Sequence, residues 1–158
     1  MPSCFFIGHA DVPPEIYPHL LKAIEALVAD NRVSTFYVGR YGAFDRLAIR
    51  ALQQIKRTAP AIRAYLLIPY HPAQRPVSLP DGFDGSIYPF EKMPLPRVAI
   101  VRANKSMIDR CDYLIAYAHH PGKARDFLEY AARRQKRGKI RVQNIALPDP
   151  ERSHPADE

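Results

Sequence analysis

The residues best suited to chemistry lie in one short stretch, residues 38–45. It contains Gly39, Arg40 and Gly42, and it ends on Asp45. A short apolar run precedes the stretch and a helical pattern follows it, so the predicted order is strand, glycine turn and helix N-terminus. Glycines let the backbone approach a ligand, and a first helical turn offers N–H groups without intrahelical partners, which favours phosphate binding. The same residues also suit a tight turn before a helix, so both interpretations stay open.

The elements that would position this stretch alternate along the chain. Short apolar runs predict five strands, at residues 3–7, 35–38, 64–68, 113–118 and 140–145. Apolar residues spaced three or four apart predict four helices, with buried faces within residues 16–27, 44–55, 100–108 and 127–132. Strands separated by helices imply right-handed crossovers. The sequence therefore predicts an α/β fold of three layers, α/β/α, around a five-stranded and mostly parallel sheet.

In such sheets the ligand lies beyond the carboxyl ends of the strands, near the point where the strand order reverses. This rule selects residues at strand C-ends and helix N-ends. The predicted ligand-binding residues are Gly8, His9, Gly39, Arg40, Gly42, Asp45, Tyr70, Arg102, Asn104, Gly122 and Lys123. No metal site is predicted, because the adjacent residues His119 and His120 would point apart in an extended segment.

The segment 69–96 is irregular, and it holds seven of the sixteen prolines of the chain. Long loops without periodicity are usually functional or disordered, and the aromatic residues of this one argue against disorder. We expect a lid over the ligand edge. A structural loop held by its aromatic residues and a dimer contact are the alternatives.

Composition predicts one domain over residues 1–147 and a disordered polar tail at 148–158. The net charge of +7 favours acidic partners, which include nucleotides and nucleic acid. A basic cluster at residues 133–141 lies mainly on the edge of the sheet opposite the ligand. Cys4 and Cys111 read as reduced core residues, so a cytoplasmic location is expected. Neither a signal peptide nor a membrane span is predicted, and therefore no membrane partner.

Three motifs together resemble the SLOG superfamily. They are residues 6–9 (Phe-Ile-Gly-His), residues 38–45, and residues 102–107 (Arg-Ala-Asn-Lys-Ser-Met) leading to Asp112. That superfamily is Rossmann-like and includes the LOG phosphoribohydrolases and the DprA domain. The chain looks most similar to its small stand-alone bacterial and phage members of unknown function, over nearly all residues up to Leu147.

The resemblance implies binding or sensing of a nucleotide or nucleotide-derived ligand, with no cofactor and with a possible homodimer. A second implied function is an N-glycosidase, either a phosphoribohydrolase or a deoxyribosyltransferase-like enzyme acting on a nucleoside monophosphate. The LOG pattern then places the catalytic carboxylate at Asp126, and Glu129 is the alternative. It places the catalytic Arg at Ala103, and two of its glycines at His119 and His120. A third implied function is association with nucleic acid in the manner of DprA.

Overall fold

The computed structural model describes residues 2–146, and the predicted tail at 148–158 lies outside these described residues. A short 3-10 turn, Pro14–Ile16, leads into the first α-helix. The elements in chain order are β1 (Ser3–Gly8), α1 (Tyr17–Asp30), β2 (Thr35–Val38), α2 (Ala43–Thr58), β3 (Arg63–Leu67), β4 (Gly85–Ile87), α3 (Pro96–Arg110), β5 (Tyr113–Tyr117), α4 (Lys123–Lys136) and β6 (Arg141–Asn144).

The strands form one sheet in the order β4-β3-β2-β1-β5-β6. All five neighbouring pairs are parallel. The predicted α/β class and the parallel sheet are therefore confirmed. The predicted number of five strands is wrong, because the sheet has six.

The strand that sequence reasoning missed is β4, which lies inside the irregular segment 69–96. It has only three residues and no apolar alternation that would reveal it. Backbone pairing with β3 and an anchor at its N-terminal end hold it in place. There the Asp84 carboxylate accepts hydrogen bonds from Lys56 Nζ at 2.7 Å, from the Ala64 N–H at 2.8 Å and from Arg63 Nη1 at 3.1 Å. Such tertiary contacts leave no trace in local periodicity.

The buried residues form two apolar clusters, and successive residues of β1 alternate between them. Cys4 and Phe6 pack with residues of α1 and α2. Phe5 and Ile7 pack with residues of α3 and α4. This alternation follows from the two-residue period of a strand, and it explains why β1 reads as an uninterrupted apolar run in the sequence.

The strand order reverses between β1 and β5. The chain runs from β1 outward through β2, β3 and β4, and then crosses back to β5 and β6 on the other side of β1. The carboxyl ends of β1 and β5 meet there, since Gly8 pairs with Tyr117. Ligands of open parallel sheets bind in the crevice at this kind of switch point. Within the described residues, no helix is long and apolar enough to cross a membrane.

Candidate functional site

A pocket of about 440 Å³ opens at the switch point. Its walls come from the residues that follow β1, from the first turns of α2 and α4, and from α3. Seven of the predicted ligand-binding residues line it: Gly8, His9, Gly42, Asp45, Asn104, Gly122 and Lys123. These seven residues come from four separate parts of the chain, and the fold brings them together.

The other predicted ligand-binding residues lie outside this lining. Gly39 is buried behind the pocket, where a Cβ would lie 3.0 Å from Asp45 Oδ2. Arg40 is exposed, and Tyr70 stacks under Arg75 with its ring centroid 3.9 Å from the guanidinium carbon. No residue of the segment 69–96 lines the pocket, so its role as a lid stays a prediction.

Helix geometry separates Arg102 from Asn104. Ile100 and Asn104 are four residues apart on α3 and both line the pocket. Arg102 lies between them in sequence and therefore points about 200° around the helix from each. It is exposed. The Asn104 Nδ2 donates to the Ile100 carbonyl at 2.9 Å, which leaves the amide oxygen to face a ligand.

Neither of the two candidate catalytic carboxylates lines the pocket. Ala124 and Phe127 give the inward face of α4. Glu129 is about 200° around the helix from Phe127, so it points away from this face. Asp126 is only about 60° around the helix from the lining residue Lys123, but it is not itself part of the lining. Both carboxylates are exposed, and Glu129 lies 3.7 Å from the Arg125 Nε. The carboxylates that do line the pocket are Asp11 and Asp45.

Sequence reasoning missed Asp11, Tyr41 and His120 as lining residues. Each belongs to a loop that follows a strand. The rule that ligands bind beyond the carboxyl ends of the strands therefore indicated these loops. Nothing in the sequence said which side chains of a loop turn inward. Tyr41 is 48% exposed although it is aromatic, and it stands at the rim of the pocket.

The glycines near α2 serve close packing. A Cβ on Gly8 would lie 2.2 Å from the Phe44 ring, and a Cβ on Gly42 would lie 2.7 Å from the Ala10 Cα. The Ala43 N–H already donates to the Ala10 carbonyl at 2.8 Å. The N-terminus of α2 therefore has fewer donors left for a phosphate than the sequence suggested.

Asp45 completes the N-terminus of α2. Its Oδ2 accepts the Tyr41 N–H at 3.2 Å, and its charge complements the helix dipole. Burial raises the pKa of this carboxyl to about 6, although the Tyr41 N–H and Arg46 act in the opposite direction. A carboxyl with this pKa exchanges a proton near neutral pH, which is the property required of an acid or base in a pocket.

The N-terminus of α4 has the opposite character. Its N-cap residue, Gly122, supplies no side-chain hydrogen bond to the helix. Gly122 has φ +150° and ψ −174°, a backbone region that is essentially restricted to glycine. Lys123 occupies the first helical position, where a cation opposes the helix dipole. An anion at this end of the pocket would satisfy both the helix and the lysine.

Three histidines meet at the edge of the same pocket. His9 is 5% exposed, and its Nε2 accepts the His119 N–H at 3.0 Å. Burial lowers its pKa, and the neighbouring His120 and His119 lower it further. The ring of His120 stacks on the ring of His9 with centroids 3.6 Å apart. One ring nitrogen from each histidine lies within 4.8 Å of the others. The expectation that His119 and His120 point apart is wrong, because this segment bends after β5 ends.

The two cysteines take no part in the pocket. Cys4 and Cys111 are both free and buried, as the sequence predicted. Burial raises the pKa of Cys4 well above its usual value and that of Cys111 to about 12. Neither thiol is a nucleophile at neutral pH, since the thiolate is the reactive form.

The basic cluster lies at the C-terminal end of α4. Arg133, Arg134 and Arg137 surround Tyr130 in a depression of about 200 Å³. The Tyr130 hydroxyl donates to Asp109 Oδ1 at 2.7 Å, and the Arg134 Nε lies 3.1 Å from the same oxygen. Along α4, Lys123 lies about 15 Å from Arg133 and about 20 Å from Arg137 at 1.5 Å per residue. Phe127 also lines the pocket and is three residues from Tyr130, but the two depressions share no lining residue.

No protein-family model matches the chain. A search of curated proteins likewise finds no match.

Proposed function

We propose that this chain binds a nucleotide or a nucleotide-derived ligand in the pocket at the switch point. The observation that carries the proposal is the N-terminus of α4, where Gly122 and Lys123 line the pocket and no side chain caps the helix. Unpaired N–H groups and a lysine are what a phosphate requires. The pocket volume of about 440 Å³ falls within the range of small-molecule sites, roughly 300–1,000 Å³.

The rest of the pocket suits a sugar and a base. Asp45 and Asn104 offer oxygen atoms that accept hydrogen bonds from ribose hydroxyls. Tyr41 offers an exposed aromatic ring on which a base stacks. Ile100 and Phe127 add apolar walls. The phosphate would then lie at α4 and the base at the rim, with the sugar between them.

The proposal includes membership of the SLOG superfamily and its three-layer arrangement. The strand order supports it, and so do the two apolar clusters that share the residues of β1. A binding and sensing role is favoured over hydrolysis because neither Asp126 nor Glu129 lines the pocket.

N-glycosidase activity is a second candidate, and one observation favours it. Asp45 is a pocket carboxyl with a pKa of about 6, and such a group is suited to proton transfer to a leaving base. In this alternative Asp45 replaces Asp126 as the working carboxyl. Incubation with nucleoside monophosphates would then release free base, and Asp45→Asn would reduce the rate about 100-fold or more. Absence of base release from the parent protein would exclude this alternative.

Binding of nucleic acid is a third candidate. Tyr130 lies beneath two cations: Lys105 Nζ lies 5.3 Å and Arg133 Cζ 5.9 Å from its ring centroid. Basic side chains interleaved with an aromatic ring are typical of surfaces that bind single strands. This surface and the pocket lie at opposite ends of α4, so the two functions are separable by mutation.

The experiment that tests nucleotide binding is calorimetric titration with nucleoside monophosphates and with the matching nucleosides. We expect the monophosphates to bind more tightly, because only they carry the charge that α4 recognises. Lys123→Ala should weaken monophosphate binding roughly 10- to 100-fold, which is the contribution of a charged hydrogen bond, and leave nucleoside binding unchanged. Tyr41→Ala should weaken the binding of monophosphates and of nucleosides by about tenfold each. Tyr41→Phe keeps the aromatic ring and should bind both like the parent.

Lys136→Ala is the matched control. Lys136 is exposed on the last turn of the same helix, so this variant removes one positive charge about 20 Å from Lys123. It should bind like the parent. Equal affinity for monophosphates and nucleosides, or equal losses in the two lysine variants, would contradict a phosphate site at α4.

A further inference from the structure

Three imidazoles converge where two neighbouring strands end. His9 is the first residue after β1, and His119 and His120 come two and three residues after β5. Because β1 and β5 pair in parallel, with Gly8 opposite Tyr117, the residues that follow them emerge at the same edge of the sheet. One nitrogen from each of the three rings lies within 4.8 Å of the other two.

Two of the rings are held by hydrogen bonds. The Nε2 of the buried His9 ring accepts the backbone N–H of His119 at 3.0 Å. The Nδ1 of His120 lies 3.0 Å from the Pro121 carbonyl oxygen. A carbonyl at this distance fixes the proton on Nδ1 and leaves the Nε2 lone pair available. Metal-binding histidines typically have such an outer partner for the second ring nitrogen.

We propose that His9, His119 and His120 form a binding site for a divalent transition-metal ion of the zinc class. Three neutral imidazoles are a donor set for zinc that leaves a fourth position open for water or a ligand. Imidazole nitrogen selects zinc, copper, nickel or iron over magnesium and calcium, which prefer oxygen ligands. His9 and His120 also line the pocket, so the open position faces its interior.

Side-chain rotation completes the site, because the His120 ring now stacks on the His9 ring and must turn before its in-plane lone pair points at a shared ion. Zinc–nitrogen bonds of about 2.0–2.1 Å in a tetrahedron require nitrogen atoms about 3.4 Å apart. The ring nitrogens, now within 4.8 Å of one another, must approach by up to about 1.4 Å. His119 and His120 are exposed, so rotation of their side chains supplies this movement while His9 stays in place. Binding must also displace or reorient the His119 N–H, which now donates to His9 Nε2. We therefore expect weaker binding than at a fully preformed structural zinc site.

The test is titration of chelator-treated, metal-free protein with Zn²⁺ in competition with a chromogenic chelator. Co²⁺ replaces Zn²⁺ in a parallel experiment, because its visible absorption reports tetrahedral coordination. We expect one ion per chain. His119→Ala and His120→Ala should each weaken binding at least about tenfold, since even outer partners of metal ligands contribute 10- to 100-fold. Mg²⁺ should not compete. No nucleotide is present, so this experiment succeeds or fails independently of the proposed function.

His19→Ala is the control for nonspecific binding to histidine. His19 is exposed on α1 and outside the cluster, so its removal should leave the affinity unchanged. His9 is buried, and the tests therefore rest on the two exposed ligands, whose replacement leaves the core intact. Absence of stoichiometric binding, or Zn²⁺ binding that is the same in the parent, His119→Ala and His120→Ala, would overturn the proposal.

Discussion

Asp45 combines two roles that conflict. Its carboxylate accepts the Tyr41 N–H and thereby completes the start of α2, yet burial disfavours its charged form and raises its pKa to about 6. The proximity of Gly39 explains part of this burial, since there is room for the carboxyl only because residue 39 has no side chain. A negatively charged Asp45 is therefore maintained at neutral pH at the expense of folding stability.

Asp45→Asn should stabilise the protein in a pH-dependent manner. The pKa of Asp45 is higher in the folded state than in the unfolded state, so its contribution favours folding below about pH 4 and is lost as the pH rises through about 6. The amide keeps an oxygen for the Tyr41 N–H and has no charge to bury. Urea unfolding gives the free energy of unfolding of the variant and of the parent at each pH. We expect the variant's advantage over the parent to be roughly 1–3 kcal/mol larger at pH 7 than at pH 4.

Asp126→Asn provides the control for that comparison. Asp126 lies in the first turn of α4 and is exposed. Its replacement should change stability by less than about 1 kcal/mol, the usual size of a charge–dipole effect. A stability difference for Asp45→Asn that is the same at both pH values would show that Asp45 is not buried as described.

At the scale of the elements, β1 packs directly against α2. Gly8 ends β1 directly against the ring of Phe44, and no side chain fits between them. Sequence reasoning assigned the glycines to a ligand because glycine turns before helices often hold phosphate. It could not distinguish an approach to a ligand from an approach to a neighbouring helix, because both require the absence of a Cβ.

Gly8→Ala should lower the free energy of unfolding by about 1–3 kcal/mol, because the added methyl group forces the Phe44 ring to move. In combination with Phe44→Ala, which removes the two nearest ring atoms, the loss should be smaller than the sum of the two single losses, since the two positions share one contact. Gly85→Ala is the matched control, because a Cβ there meets Tyr65 at an ordinary 3.5 Å. Additive losses, measured by urea unfolding, would exclude the proposed steric contact.

Strand β4 depends on charged groups for its position. Burial alone would raise the pKa of Asp84, but hydrogen bonds from Lys56, the Ala64 N–H and Arg63 outweigh it and lower the pKa to about 2. These bonds join the loop before β4 to both α2 and β3. The edge of the sheet is therefore held by an ionic anchor as well as by backbone pairing.

Asp84→Asn should destabilise the protein at neutral pH by about 1–2 kcal/mol after allowance for solvent screening. The pKa of Asp84 is lower in the folded state, so the stabilising effect is present above about pH 4 and disappears as the pH falls through about 2. The difference between the parent and the variant in urea unfolding should therefore shrink below about pH 4 and vanish at about pH 2 and below. Asp81→Asn, in the same loop and exposed, should match the parent throughout. A loss that persists at low pH would mean that the charge is not its cause.

The sequence predicted most elements because their causes are local. Apolar runs mark β1 and β5, which are buried on both faces, and the spacing of apolar residues marks α1 to α4. The site was predicted in part. The position of Gly8 and His9 at a strand end and of Asp45 at a helix start placed them at one edge of the sheet. The orientation of Arg102 and Asp126 depends on the rotation of each helix about its axis, which the sequence did not give. The convergence of His9 with His120 required the register of β1 against β5, which no local pattern encodes.

At the scale of the whole molecule, positive charge and the pocket are separated along α4. The net charge of +7 includes a basic cluster at the end of the helix distant from the pocket. Arg133 and Arg137 are both exposed there. A nucleic acid bound at this surface would leave the pocket accessible to a small ligand.

The double charge reversal Arg133→Glu with Arg137→Glu should distinguish binding at the basic cluster from binding in the pocket. If nucleic acid binds at the basic cluster, the affinity for a labelled single-stranded oligonucleotide should fall at least about tenfold, and its salt dependence should become weaker. Fluorescence anisotropy at 50 and 200 mM salt measures both, and calorimetry should show unchanged binding of nucleoside monophosphates. Oligonucleotide binding that persists in this variant, or that is absent from the parent at low salt, would exclude the basic cluster as a nucleic-acid surface.

The central position of β1 has a consequence for the synthesis of the chain. His9 and His119 are bonded to each other across 110 positions of sequence. Because translation adds about 5–20 residues per second, roughly 5–20 s pass between the synthesis of β1 and that of its neighbour β5. During that time the nascent chain presents an apolar strand with unpaired backbone groups, which is a template for association with other chains. Of the neighbouring strand pairs in the sheet, β1 and β5 are thus the two whose syntheses are separated by the longest time.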